Sequence, residues 1–204
     1  AMKELREKGI KTFIATGRSE LLIDNVEKSL FDGIISLNGQ SCRAGGELIH
    51  TRSIAPQDVR KALDFLARTG ISCIFEGVDF IAMNHMNEFA REGAALVNMM
   101  IPETGDVSWV ADREVLQLIF FGEKAQEDEL MKLMPSCEAT RRTHLMADII
   151  PRGGGKHIGL ENVLSHYGIR REECMAFGDG ENDITMLQYA GIGVAMGNAD
   201  HTVK

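Results

Sequence analysis

Cys174-Met175-Ala176-Phe177-Gly178-Asp179-Gly180-Glu181-Asn182-Asp183 is a short apolar run that halts at a glycine-flanked acidic corner. The run suits a buried strand, and the segment from about Asp183 to Tyr189 suits a helix. Glycines at 178 and 180 let the backbone turn sharply without Cβ clashes. Two carboxylates, Asp179 and Asp183, with the Asn182 amide between them make a compact oxygen-rich corner. Such a corner suits Mg2+, a hard ion that takes one or two carboxylates together with waters and substrate phosphate. The same string also reads as a plain turn with Asp183 capping the next helix. Calcium does not fit: with Asp179 as the first ligand, the glycine comes too early and the twelfth place is Ala190 instead of Glu.

Working outward, the same grammar recurs. Gly191–Met196 reads as a small-residue strand that stops at Gly197-Asn198-Ala199, and a helix from about Lys156 to Tyr167 ends at Gly168. At the other end of the chain a charged opening helix stops at Gly9, and Ile10–Ala15 reads as a strand stopping at Thr16-Gly17-Arg18. A helix is expected from about Ser19 to Leu30, with Ser19 as N-cap, before a strand over Gly33–Leu37 that stops at Asn38-Gly39. Strand, helix and strand in succession imply a parallel pair joined by a crossover. The strands run apolar without alternation, as strands covered on both faces do. The expected fold is α/β, with a Rossmann-like parallel sheet. The loops beyond the carboxyl ends of such strands converge on one crevice, where ligands bind.

Between the two halves the pattern changes. From about Ile54 to Pro151 it runs helix (Gln57–Thr69), strand (Ile71–Phe75), strand (Phe80–Met83), a helical or irregular stretch (Asn87–Val97), strand (Glu114–Phe121), helix (Ala125–Leu133) and two short strands (Cys137–Arg141, Leu145–Ile149). Tight returns such as Glu76-Gly77-Val78-Asp79 suit hairpins, so this block is expected to be α+β with a largely antiparallel sheet. The expected organisation is core over 1–54, an inserted cap domain over 55–149 and core again over 150–204, with Pro56 and Pro151 near the two connections.

Composition narrows the partners. The 204 residues carry 22 Lys+Arg against 30 Asp+Glu, a net charge of −8, with 44% apolar and 25% charged residues. That balance belongs to globular chains. Without a long basic cluster, neither nucleic acid nor an anionic membrane is expected as a partner. The longest strongly apolar stretch, Val115–Phe121, falls far short of the roughly 20 residues that cross a bilayer. No apolar signal segment opens the chain. Cys42, Cys73, Cys137 and Cys174 form no CxxC pair and no Cys/His cluster at zinc spacing. They read as reduced thiols, and the expected location is cytoplasmic.

Three further loops offer donors for phosphate. Gly153-Gly154-Gly155-Lys156 looks like part of a phosphate loop, yet a nucleotide P-loop needs Gly where Ile150 stands and Ser/Thr where His157 stands. What remains is a lysine opening a helix, where its ammonium and the N-terminal amides both favour a phosphate; a solvated lysine after a glycine hinge is the alternative. Thr16-Gly17-Arg18 offers a hydroxyl, amides and a guanidinium. Asn38-Gly39 is also an ordinary turn pair. The six histidines are scattered, with no HExxH.

Taken in order, Ile14-Ala15-Thr16-Gly17-Arg18, Ser36-Leu37-Asn38-Gly39, Gly155-Lys156, Phe177 through Leu187 and Val194-Ala195-Met196-Gly197-Asn198-Ala199 resemble the Cof-type phosphatases of the haloacid dehalogenase superfamily, subfamily IIB. The resemblance spans essentially the whole chain. It implies a Mg2+-dependent phosphatase that hydrolyses a small phosphorylated metabolite, a sugar phosphate or similar, through an aspartyl-phosphate. Carried over residue by residue, it makes Lys156, Asp179 and Asp183 catalytic and gives the metal to Asp179 and Asp183. It assigns phosphate binding to Thr16, Gly17, Arg18, Asn38, Gly39, Lys156 and Asn182, and makes the inserted block a cap that selects the leaving group.

Members of that family open with a strand ending in DxDGTL, which supplies the nucleophile and the general acid/base. The present sequence starts in the helix that follows such a strand, and the family continues past the GNA motif with a further strand and helix. The 204 residues are therefore expected to belong to a protein of about 250–280 residues, with the nucleophilic aspartate outside them. Two alternatives stand beside the hydrolase. One is a phosphomutase of the same superfamily; the other, if the 204 residues stand alone, is a non-catalytic phosphometabolite-binding protein.

Overall fold

A computed structural model describes residues 2–24 and 26–204. The chain divides into two compact units, Ala1–Thr51 with Gly154–Lys204, and Arg52–Gly153.

The first unit opens with helix α1 (Met2–Glu7), whose exit Gly9 takes a positive φ of 73°. Strand β1 (Phe13–Ala15) then pairs in parallel with β2 (Gly33–Ser36). The crossover between them corrects the expected helix over Ser19–Leu30. It consists of two 3-10 turns, Glu20–Leu22 and Lys28–Leu30, with Asn25 outside the described residues. Ser19 does cap, its Oγ accepting from the Leu21 N–H at 3.3 Å, but only one turn follows before Ile23 goes extended at φ −91° and ψ 97°. The apolar spacing misled because it marks no buried stripe: Leu21 and Val26 are exposed. An amphipathic helix needs a core-facing side to hold it.

Two strands that no local apolar pattern marks continue the sheet. β3 (Ser41–Ala44) pairs antiparallel with β2, and β4 (Glu47–Thr51) antiparallel with β3 across the Gly45-Gly46 turn, so this sheet is mixed. Later in the chain, helix α5 (Lys156–Tyr167) closes on Gly168 at φ 63°. Strand β10 (Met175–Gly178) pairs in parallel with β11 (Ile192–Ala195), and helix α6 (Ile184–Tyr189) joins them. Leu160, Val163 and Leu164 recur at helical spacing on α5 and pack with Ile35, Cys42, Ala176, Met186 and Ala190. Burying each such aliphatic side chain contributes about 1.5–3 kcal/mol. The result is an α/β unit in which β1–β2 and β10–β11 are parallel and β3 and β4 extend the first pair antiparallel, with Thr16, Asn38 and Asp179 each at or just past a strand's carboxyl end.

The second unit is a five-stranded antiparallel sheet in the order β6-β5-β7-β9-β8. Its elements are helix α2 (Pro56–Thr69), β5 (Ser72–Glu76), β6 (Ile81–Met83), helix α3 (Glu88–Leu96), β7 (Gln117–Phe121), helix α4 (Lys124–Leu133), β8 (Cys137–Thr143) and β9 (Met146–Pro151). Side chains alternate between the two faces. Cys73, Phe75, Leu118, Phe120 and Ile149 pack with Val59, Phe65 and Leu66 of α2 and Leu130 of α4. Ile74, Ile119, Phe121, Met146 and Met83 pack with Ala90 of α3.

On that second face Glu76 sits opposite Gln117 in register and accepts its Nε2–H at 2.7 Å. Burial pushes the Glu76 carboxyl up to about 8, and Asp148 adds to the rise, against the opposing Gln117 hydrogen bond and Arg142 charge. The folded chain therefore holds this proton more tightly than the unfolded chain does. The stability this gives is complete below the ordinary glutamate value of 4.5 and is lost as pH rises through about 8. Glu76→Gln is expected to flatten the stability–pH curve between pH ~5 and ~8 and to raise stability at pH ~8 by roughly 1–3 kcal/mol. Urea unfolding at those two pH values checks this, and parallel curves for the two proteins would contradict it.

Candidate active site

Every site residue expected from the sequence lies in the first unit. Thr16 follows β1: its N–H donates to the Ile35 carbonyl at 2.8 Å, its Oγ1 accepts from the Arg18 N–H at 3.1 Å and its carbonyl from the Asn38 N–H at 3.1 Å. The Arg18 carbonyl accepts from the Leu37 N–H at 3.1 Å, and Gly17 between them is buried. The loops after β1 and β2 are thus stitched backbone to backbone.

Asn38 is buried in a left-handed conformation, φ 53° and ψ 36°, which Asn adopts more readily than most residues. Its Oδ1 accepts from Asn182 Nδ2 at 2.8 Å, which ties the β2 loop to the corner after β10. Gly39 takes φ 88°, and a Cβ there would strike the Gly155 carbonyl. Only glycine lets the β2 loop approach the start of α5 this closely.

Lys156 opens α5 and is 5% exposed, as is Asp183. Lys156 Nζ donates to Asp183 Oδ1 at 2.5 Å, and Asp183 Oδ2 accepts the N–H groups of Asp179 and Gly180, each at 3.1 Å. A Cβ on Gly178 would press against the Asp183 side chain, so the tight corner also requires glycine there. Asp179 itself is exposed, with Oδ2 accepting from Asn198 Nδ2 at 2.8 Å. Its other carboxylate oxygen takes no protein donor among the described residues.

Mg2+ demands little of a protein, one or two carboxylates beside waters and substrate oxygens. Among the described residues no group of three or more His, Cys, Asp and Glu side chains gathers as a metal centre. Asp179, half-used and exposed, fits the smaller demand, whereas both Asp183 oxygens are engaged by Lys156 and the loop amides.

Two partnerships were not assigned from the sequence. Asn198, within the quoted GNA motif, braces Asp179 from the loop after β11. His157 Nδ1 and Thr185 Oγ1 meet at 3.1 Å, which links α5 to the start of α6 beside the Lys156–Asp183 pair. Scattered histidines gave no hint of this, because the partner lies 28 positions away.

A profile described as haloacid dehalogenase-like hydrolase matches residues 1–204. The chain belongs to this family. It is 30% identical over 203 residues to YkrA of Bacillus subtilis (strain 168), covering 98% of this chain and 78% of that protein. It is 27% identical over 213 residues to the HMP-PP phosphatase of Cronobacter sakazakii (strain ATCC BAA-894), covering 98% and 76%. Among solved structures, a haloacid dehalogenase subclass IIB sugar phosphatase superposes with a TM-score of 0.88 at 34% identity, over 99% of this chain and 80% of that one. Phosphatases are phosphoric monoester hydrolases, and these similarities place the chain among them. No helix of the described residues is long and apolar enough to cross a membrane.

Breaking the buried pair leaves a lone charge in the interior, a change that typically costs 3–5 kcal/mol. Lys156→Met is accordingly expected to lower unfolding stability by about 3 kcal/mol or more, and the double variant Lys156→Met/Asp183→Leu to recover part of that loss. Denaturant unfolding of wild type, Lys156→Met, Asp183→Leu and the double variant measures the coupling; strict additivity of the two substitutions would show that the pair is not a unit.

Proposed function

We propose that the whole protein is a Mg2+-dependent phosphatase acting on a small phosphorylated metabolite in the cytoplasm, by way of an aspartyl-phosphate. The observation that carries this reading is the buried Lys156. An ammonium at a helix N-terminus adds to the positive end of the helix dipole, an arrangement that by itself disfavours the cation. Asp183 offsets part of that cost within the protein. A phosphate arriving at the same helix end meets the ammonium and the first N–H groups of α5 together, which are strong ligands for it.

The attacking group is the aspartate that the family resemblance supplies. The residues of this chain then act by holding and orienting. Lys156 offsets charge on the transferring phosphoryl group, and Thr16, the Gly17 N–H and Asn182 direct its oxygens, with Arg18, Asn38 and Gly39 shaping the loops that present them. Asn182 is itself aimed by Asn38. Asp179 would hold Mg2+ with Asn198 fixing its direction, while Asp183 steadies the corner through its hold on the Asp179 and Gly180 amides. When bound, Mg2+ supplies Lewis-acid charge neutralisation to the phosphoryl oxygens.

A sugar phosphatase and an HMP-PP phosphatase among the relatives support a small phosphorylated metabolite as substrate. The second unit, a separate α+β body within the chain, is assigned as the cap that selects the leaving group. Four free cysteines, three of them buried, support the cytoplasm. Asp179→Asn in the whole protein is expected to reduce Mg2+-dependent hydrolysis of p-nitrophenyl phosphate by roughly 10²–10³-fold in kcat. Activity within about twofold of wild type would remove Asp179 from the metal site.

A further inference from the structure

The first unit carries a second polar cleft of about 350 Å3, lined in part by Arg6, Lys11, Glu20, Lys28, Asp32 and Arg43. Lys11 and Asp32 stand just before β1 and β2, whereas Thr16 and Asn38 stand just after them. The cleft therefore lies at the opposite strand ends from the candidate active site.

Its charges do not balance. Four cations face two carboxylates, a local surplus of two positive charges in a chain whose net charge is −8. Each carboxylate is already taken: Glu20 accepts from Arg43 Nε at 3.0 Å, and Asp32 from Lys11 Nζ at 3.0 Å and the Thr12 N–H at 2.9 Å. Burial pushes the Asp32 carboxyl up, but these donors outweigh it and hold the group below its ordinary range. Arg6 and Lys28 are the surplus. Arg6 donates to the Ser29 carbonyl at 3.0 Å and Lys28 to the Glu20 carbonyl at 2.8 Å, contacts that aim the cations without cancelling their charge. Part-exposed ion pairs stabilise a fold little, and gathering excess like charge opposes it. An anion in the cleft removes that opposition.

We propose that this cleft is a second anion site, for a small multivalent anion of the phosphate type. Tyr167 forms part of the wall: its ring lies 5.1 Å from Lys11 Nζ and its hydroxyl donates to the Asp32 carbonyl at 3.3 Å. Tyr167 is the last residue of α5 and Lys156 the first, so one rigid helix, roughly 17 Å long at ~1.5 Å per residue, links the two anion sites. The inference stands on the cleft alone and does not depend on the proposed phosphatase chemistry.

The test is titration of the 15N-labelled protein with inorganic pyrophosphate, at constant ionic strength and with chelator present to exclude divalent metal. Saturable shifts are expected at the Gly33, Gly45 and Gly46 amides, which line the cleft. Lys28→Gln is expected to weaken them at least about fivefold while Lys28→Arg keeps them, since only the charge is removed. Arg6→Gln, in an exposed position, provides the same loss independently should Lys28→Gln disturb the fold. Shifts that grow linearly without saturating, or equal affinity in wild type and the charge-removing variants, overturn the proposal.

Discussion

The buried pair between Lys156 and Asp183 is the constraint on which the first unit's geometry depends. Two opposite charges withdrawn from water are tolerable only when they meet in good geometry and their remaining atoms find partners. Nζ and Oδ1 are 2.5 Å apart, and on the carboxylate side the second oxygen, Oδ2, takes two backbone N–H groups. Moving α5 or the corner after β10 by even an ångström would expose the cost of an uncompensated charge. The pair therefore fixes a helix start against a strand end, and so fixes where Asp179 and Asn182 face.

From that anchor the bracing spreads outward. Asn182 reaches Asn38, whose N–H is tied to Thr16, whose own N–H is tied to Ile35 in β2. Gly39 admits the backbone of Gly155, the residue just before Lys156. The chain of contacts closes on itself within the protein, so the side chains it links hold one another in place. Pre-set donors cost no reorganisation when charge develops on a transferring group, which is the main way an active site lowers a barrier. Hydrolysis of phosphoric monoesters makes this economical, because the protein's task there is chiefly to position and neutralise.

Much of this was legible in the sequence, for identifiable reasons. The bounds of helix α5, Lys156 and Tyr167, are legible because Gly155 and Gly168 punctuate it and Leu160, Val163 and Leu164 mark one face. The strand ends were legible because apolar runs stop abruptly at polar, glycine-bearing loops. The segment from Ser19 to Leu30 was not, since its apolar residues mimic a helical stripe while Leu21 and Val26 face solvent. The β3–β4 hairpin has few apolar residues to mark its alternation, although Gly45-Gly46 is an ordinary turn signal. Glu76 looked like the start of a turn; its burial depends on what folds over it, which no local pattern encodes. The Lys156–Asp183 contact spans 27 positions and belongs to the tertiary structure alone.

A phosphate site built on the braced loops, with a divalent cation held at Asp179 as proposed above, should bind anions more tightly when that cation is present. Its most direct test is the affinity for inorganic phosphate, read from the Thr16, Asn38 and Asp179 amide shifts with and without Mg2+. Mg2+ is expected to tighten phosphate binding at these residues by at least about tenfold, or roughly 1.4 kcal/mol. Equal affinity with and without Mg2+, or shifts that leave these three amides unmoved, would contradict it.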